Sequence, residues 1–252
     1  MIKFYSNNLV DQAVITASTE NAQFPVENLQ DHRRTKVFRS TSNSSSVIFD
    51  LQETSLIDSI IIVDEPRNGF GISTVTLQLN GTSDFSSPAF TQAITLNDTH
   101  GIGHAEFAEQ SYRFARLVMT STLGYCELSK VFIGQKIQFE NNMGIDLGWT
   151  YQDDELSIVK KNRYSQRFVD VISRIKSMNF SIRSMNADEF DQIMEIYDEK
   201  GKTKPFYVLN GDDTMVNDPD RFAGMFFLET VPSITNKSFG LYDISMNLEE
   251  AT

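Results

Sequence analysis

The chain has 252 residues, with 22 Lys and Arg against 34 Asp and Glu, a formal net charge of −12. An apolar share of 40% excludes a low-hydrophobicity disordered chain, and the length suits one large or two ordinary domains. The acidic balance argues against a surface that grips nucleic acid, which would need Lys and Arg to neutralise phosphates. The single cysteine, Cys126, cannot form an internal disulfide, so the fold must stand on its core. The first ten residues lack the apolar run of a signal peptide. The longest apolar run of the Ile60–Val63 kind stops at Asp64, far short of the roughly 20 residues of a membrane helix, so no membrane contact is expected.

The first half reads as strands and turns. Val47 to Leu51 and Ile57 to Val63 are two short apolar runs, the second β-branched enough for a strand buried on both faces. Ser73 to Leu79 alternates, with Val75, Leu77 and Leu79 on one face, which is the period of a half-buried strand. Asn80-Gly81 supplies a turn able to take positive φ. Tyr112 to Met119 and Lys130 to Ile133 are further strands, and no helix of ten residues is expected before position 140. The polar stretch 135–145, bracketed by glycines, predicts a linker between a domain at 1–134 and another at 146–252.

The second half mixes strands with one helix. Leu147 to Tyr151, Phe168 to Ile175 and Met178 to Arg183 read as strands. Asn186 followed by Glu189 is a capping-box signature, and Phe190, Ile193, Met194 and Tyr197 recur on one helical face. Gly201 closes the helix. Strands resume at Pro205 to Leu209, Ala223 to Glu229 and Ser238 to Leu248, the last alternating through Phe239, Leu241, Ile244, Met246 and Leu248.

No constellation for catalysis stands out. His100 and His104 have an i, i+4 spacing, but the glycines between them favour a solvated loop over a metal-binding helix. His32, beside Arg33 and Arg34, reads as a surface residue, and Cys126 as a buried structural thiol. There is no Gly-x-Ser-x-Gly elbow, and Gly69-Phe70-Gly71 is half of a dinucleotide fingerprint without its strand–helix context. The acidic groups Asp153-Asp154-Glu155 and Asp212, Asp213, Asp218 and Asp220 lie between strands, where such residues make turns. We therefore assign no catalytic, cofactor-binding or metal-ligating residue, and expect a non-enzyme.

The first half also resembles the discoidin-like, galactose-binding-like jelly roll. The resemblance rests on Phe24-Pro25-Val26-Glu27-Asn28-Leu29-Gln30-Asp31, Thr35, Phe38-Arg39-Ser40, Val47 to Leu51, Ile57 to Ile62, Tyr112 to Leu117 and Leu128 to Gly134. It implies a β-sandwich over residues 1–134 with Phe38 in the core position of the family's Trp. Many such domains hold a structural calcium near the opening loop. Asp31 and Thr35 stand at ligand-like positions, but His32-Arg33-Arg34 places cations there, and Ser129 replaces the family's closing Glu with Glu127 two residues away. The calcium is therefore not carried over.

The second half resembles the tail-tube-like β-barrel of bacteriophage tail-tip proteins, including the distal tail family. The signs are Gly148-Trp149-Thr150-Tyr151, Met178 to Arg183, the capped helix with Gly201, Lys204 to Val208, Gly224 to Phe227 and Ser238 to Glu250. Together the two resemblances imply a mainly β structural virion protein. It would form a ring with itself at the tail tip, six-fold as first expectation and three-fold as second. Tail-tube and baseplate proteins would be its neighbours, and DNA would pass the acidic lumen without adhering. Such a protein would be made in the host cytoplasm. The alternative is a glycan-binding module mediating adhesion, which predicts an exposed aromatic on a jelly-roll loop, with Phe70, Phe85 and Phe90 as candidates and the only Trp, Trp149, outside that domain.

Overall fold

The computed structural model describes residues 2–64, 71–138, 146–153, 158–161, 167–170, 174–210, 220 and 223–251. In chain order the strands of the first half are β1 (Ile2–Tyr5), β2 (Val14–Ala17), β3 (Phe38–Arg39), β4 (Ser44–Val63), β5 (Thr74–Asn80), β6 (Phe90–Ala93), β7 (Thr95–Asn97), β8 (Ile102–Thr120), β9 (Glu127–Leu128), β10 (Lys130–Gly134) and β11 (Ile137–Gln138). They are followed by β12 (Asp146–Asp153), β13 (Ile158–Lys161), β14 (Arg167–Asp170), β15 (Arg174–Met185), the helix α1 (Ala187–Lys200), β16 (Phe206–Asn210), β17 (Gly224–Leu228), β18 (Ser233–Ser238) and β19 (Leu241–Glu250). The chain is mainly β, and its first half has a jelly-roll sandwich architecture. Backbone contacts divide it into two units, residues 1–138 with 206–224, and residues 139–205 with 225–252.

In the first unit a seven-stranded antiparallel sheet runs β10-β4-β8-β5-β6, with β2 added to β4 and β7 to β8. A smaller pair, β3 with β9, joins Phe38 to Leu128 and Arg39 to Glu127 across the ladder. The core takes Phe38, Phe49, Ile57, Leu77, Leu117, Leu128 and Val131, all fully enclosed. Phe38 thus fills the core position that the resemblance assigns to it. Two short 3-10 helices, Leu9–Gln12 and Val26–Gln30, are the only helical segments before position 140 among the described residues.

Two expected strands are one. Val47–Leu51 and Ile57–Val63 both belong to β4, a single strand with a register shift against β8 between Asp50 and Ser55. At that bulge Gln52 takes φ 70°, and its N–H donates to the Asp50 Oδ1 at 2.9 Å. Five steps along β4, Asp50 to Ser55, span two along β8, Phe114 to Tyr112, and this irregular stretch makes local pattern see two pieces where the ladder has one. β5 alternates as expected, with Val75, Leu77 and Leu79 buried. The Asn80-Gly81 turn forms without positive φ; the Gly81 N–H donates to the Asn80 Oδ1 at 3.0 Å instead.

Several elements of this unit were not legible locally. The short strands β3, β6, β7 and β9 lie where no strand was expected, and β8 starts at Ile102, ahead of the expected Tyr112. β1 and β2 lie in a stretch with no expected strand, and β11 lies inside the expected linker. β1 pairs antiparallel with β11 on one side and with β16 on the other, Ile2 opposite Asn210 and Tyr5 opposite Tyr207. Residues 206–224, expected within 146–252, therefore count with the first unit. Tyr5, Phe132 and Tyr207 pack there ring against ring, with centroids 5.4 and 5.6 Å apart. The rest of the expected linker, 139–145, lies outside the described residues.

In the second unit β15 pairs antiparallel with β12 and with β19, while β19 also pairs with β17 and β18. A bulge between Ile182 and Met185 puts Ser184 at φ 59°, its N–H donating to the Asp243 Oδ1 at 2.9 Å. The helix α1 has the expected capping box: the Asn186 side chain accepts from the Glu189 N–H at 2.9 Å, and Glu189 Oε2 accepts from the Asn186 N–H at 3.0 Å. Its buried residues are Glu189, Ile193 and Ile196, so the inward face is turned from the expected stripe; Phe190 and Tyr197 flank it, half-buried. Phe190 stacks on Tyr242 at 4.4 Å. The strand expected from Ser238 starts at Leu241. Ile244, Met246 and Leu248 point inward as expected, whereas Phe239 sits in the turn before it and is fully exposed, with Gly240 at φ 74° closing that turn.

Candidate functional site

In the first unit Phe24, Tyr125 and Glu127 surround Arg39. The β3–β9 pairing sets Arg39 opposite Glu127, and the guanidinium Nε and Nη2 both reach Glu127 Oε2 at 2.5 Å. Its carbon lies 4.4 Å from the Phe24 ring centre and 4.6 Å from that of Tyr125. A cation over two aromatic faces gains from both ring quadrupoles. The Arg39 side chain remains 31% exposed, so solvent reaches this group.

The backbone around the cluster is held from both sides. The Arg39 N–H donates to the Phe24 carbonyl at 3.0 Å, and the Asn21 N–H donates to the Arg39 carbonyl at 2.8 Å. The Gln23 N–H donates to the Asn21 Oδ1 at 2.9 Å, shaping the turn that presents Phe24. On the other side the Cys126 N–H donates to the Ser40 Oγ at 2.7 Å, and the Ser40 N–H donates to the Cys126 carbonyl at 2.9 Å. Tyr125 and Glu127 are thereby fixed on either side of a buried Cys126, whose thiol burial pushes up from its ordinary value. Leu123, on the neighbouring loop, is 57% exposed, and Ser121 Oγ ties that loop to the Gly71 carbonyl. With the guanidinium over a face of each ring, the arrangement offers ring edges for apolar C–H groups beside a guanidinium fork and a carboxylate for hydroxyls.

The residues weighed in the sequence fall elsewhere. Phe85 is buried, with the Arg116 guanidinium over its ring at 4.6 Å. Phe90 is half-buried against Phe107 at 4.9 Å. Neither is the exposed loop aromatic that was expected, because each ring's apolar area is covered by its own neighbours; Phe70 lies outside the described residues, as does the side chain of Trp149. His104 is in strand β8 rather than a loop, opposite Ile61. Its Nε2 lies 3.2 Å from Asp220 Oδ1, and Asn97 donates to Asp220 Oδ2 at 2.8 Å. The His104 and Asn97 bonds hold the Asp220 carboxyl below its usual range. That group has one carboxylate, and no cluster of three His, Cys, Asp or Glu suited to a metal occurs among the described residues. His32 is exposed, as expected. Asp154, Glu155, Asp212, Asp213 and Asp218 lie outside the described residues.

The opening loop does not fit a divalent ion. Both oxygens of Asp31 are taken by Arg33, through its N–H and Nε at 2.9 Å and Nη2 at 2.5 Å, and this holds the Asp31 carboxyl far below its usual range. Thr35 is exposed. Ser129, at the place of the family's closing Glu, is a donor: its hydroxyl bonds the Arg34 carbonyl at 2.5 Å.

No protein-family model matches the chain, and no curated protein does. Among the solved structures similar to about half of it are carbohydrate-binding modules. CpGH89CBM32-5 from Clostridium perfringens, in complex with GalNAc-β-1,3-galactose, has 11% identity and a TM-score of 0.43, over 51% of this chain and 100% of that one. The lectin domain of lectinolysin complexed with Lewis B antigen has 10% identity and a TM-score of 0.46, over 52% and 98%. A fucose-binding module of Streptococcus pneumoniae has 14% identity and a TM-score of 0.45, over 51% and 95%. Likenesses this distant assign no ligand, and the tail-tip reading draws no support from them.

Proposed function

We propose that this chain is a glycan-binding protein and not an enzyme, with its site in the jelly-roll unit, built on Arg39. The observation that carries the reading is the solvent-reached guanidinium held between the Phe24 and Tyr125 rings and fixed by Glu127. A sugar has an apolar C–H face and a polar rim of hydroxyls. Ring edges and a planar fork of N–H donors answer both, and the paired charges keep the group fixed before any ligand arrives. Because Glu127 neutralises Arg39, the ligand on this reading is an uncharged glycan. A glycan array probed with the purified chain tests it. Binding to one class of neutral glycan, lost by about tenfold or more in Arg39→Ala and Tyr125→Ala but retained in Arg33→Ala, is the expected result. An array with no signal defeats the reading.

A second reading rests on a separate observation in the second unit. β18 is exposed along its whole length, and Phe239 stands fully exposed at the tip of the β18–β19 turn, followed by Leu241 at the start of β19, 39% exposed. An uncovered edge strand capped by an apolar tip suits strand addition between copies. This favours the ring-forming tail-tip protein set out above, with six copies as first expectation. Size-exclusion chromatography with light scattering tests it. A ring that Phe239→Ser reduces to monomer supports it; a wild-type monomer at all concentrations, also with tail partners present, ends it.

A further inference from the structure

The opening loop of the first unit turns its carbonyls toward the closing strand. The Asn28 carbonyl accepts from Lys130 Nζ at 2.8 Å, and the Lys36 carbonyl faces the same Nζ at 3.5 Å. The Arg34 carbonyl accepts from Ser129 Oγ, and the Val37 carbonyl accepts from Asn28 Nδ2 at 2.8 Å. Carbonyl oxygens turned inward repel one another and need donors or a cation. For the Arg34 and Asn28 carbonyls the donors come from two consecutive residues, the hydroxyl of Ser129 between β9 and β10 and the ammonium of Lys130 at the start of β10.

Lys130 is 3% exposed although it carries a charge, and such burial is tolerated only where the ammonium is bonded. The groups that face it electrostatically are Asp31 and Asp11, which favour its charge, and Arg33, which opposes it. Burial pushes the ammonium down to about 8, so at pH 7 the charged form still dominates. Meanwhile Asp31, the one carboxylate at a ligand-like position, is spent on Arg33.

We infer that the Lys130 ammonium is the structural cation of the opening loop, and that residues 26–37 close on this internal charge without a divalent metal ion. The donor set is the reverse of an ion site: where a metal would need a further carboxylate from the closing strand, this strand brings donors. The inference is independent of the glycan reading, because it concerns how the loop is held and not what the Arg39 cluster binds.

Amide hydrogen exchange of the whole chain, read by mass spectrometry over residues 26–37, tests it. In the wild type, exchange there is expected to be the same with excess chelator and with millimolar calcium chloride. Lys130→Met keeps most of the side-chain volume and removes the charge; exchange over the loop should rise by about tenfold or more, since a charge-assisted bond to the Asn28 carbonyl is lost. Slower wild-type exchange on adding calcium, or an unchanged loop in Lys130→Met, overturns the inference. If Lys130→Met does not fold, the calcium and chelator comparison on the wild type decides alone.

Discussion

Glu106 offers the sharpest electrostatic test of how the first unit is held. Its carboxylate accepts from Lys3 Nζ at 2.7 and 2.8 Å, from Tyr5 Oη at 3.0 Å and from Lys136 Nζ at 3.0 Å. It thereby joins β1, β8 and the residue before β11. Burial opposes its ionisation, but the bonds from Lys3 and Lys136 prevail and hold it down to about 2, from an ordinary 4.5. A difference of that size corresponds to a ceiling of about 3 kcal/mol. The side chain is 24% exposed, so solvent and salt reduce this to about 1–2 kcal/mol. A carboxylate whose folded value is depressed stabilises fully above its unfolded value and loses that contribution as pH falls toward the folded value. The window therefore runs from pH 4.5 down to about 2. Glu106→Gln preserves shape and removes the charge. Urea unfolding followed by circular dichroism, together with amide exchange across Ile2–Tyr5, should show the variant weaker by about 1–2 kcal/mol at neutral pH, with the gap closing through that window. A gap that stays constant down to the lowest pH, or no gap at neutral pH, would refute the reasoning.

Three further outcomes follow from packing and caps. Gly134→Ala places a Cβ 2.5 Å from the Asn7 carbonyl oxygen and 2.9 Å from Phe132 Cζ; the backbone cannot yield, so a loss of about 2 kcal/mol or more is expected in urea, and an unchanged midpoint contradicts it. Phe38→Ala empties a fully enclosed position and should cost about 3–5 kcal/mol by the same measurement. Asn186→Ala removes the side-chain acceptor of the Glu189 N–H and should cost the second unit about 1 kcal/mol, with Asn186→Ser close to wild type in thermal unfolding.

The sequence by itself determined the elements whose information is local. Alternation at Val75, Leu77 and Leu79 marks β5, the β-branched run at Ile57–Val63 marks a buried strand, and Asn186 with Glu189 marks the start of α1. The place of Phe38 in the core came from the resemblance, which sets it at the family's Trp position. Tertiary structure decided the rest, because the deciding partners are far apart in the chain. β1 pairs with β16 across some two hundred positions, so no window of periodicity could show that residues 206–224 count with the first unit. The bulge at Gln52 made one strand read as two. Phe239 fits the alternation of its strand and still points into solvent, since the turn at Gly240 ends the ladder before reaching it. The Arg39 cluster had no motif, only residues 24, 39, 125 and 127, brought together by the two-residue pairing of β3 with β9. Lys130 read as one polar residue opening an apolar strand; only the folded loop, with the Asn28 and Lys36 carbonyls turned toward it, shows why a charge is buried there.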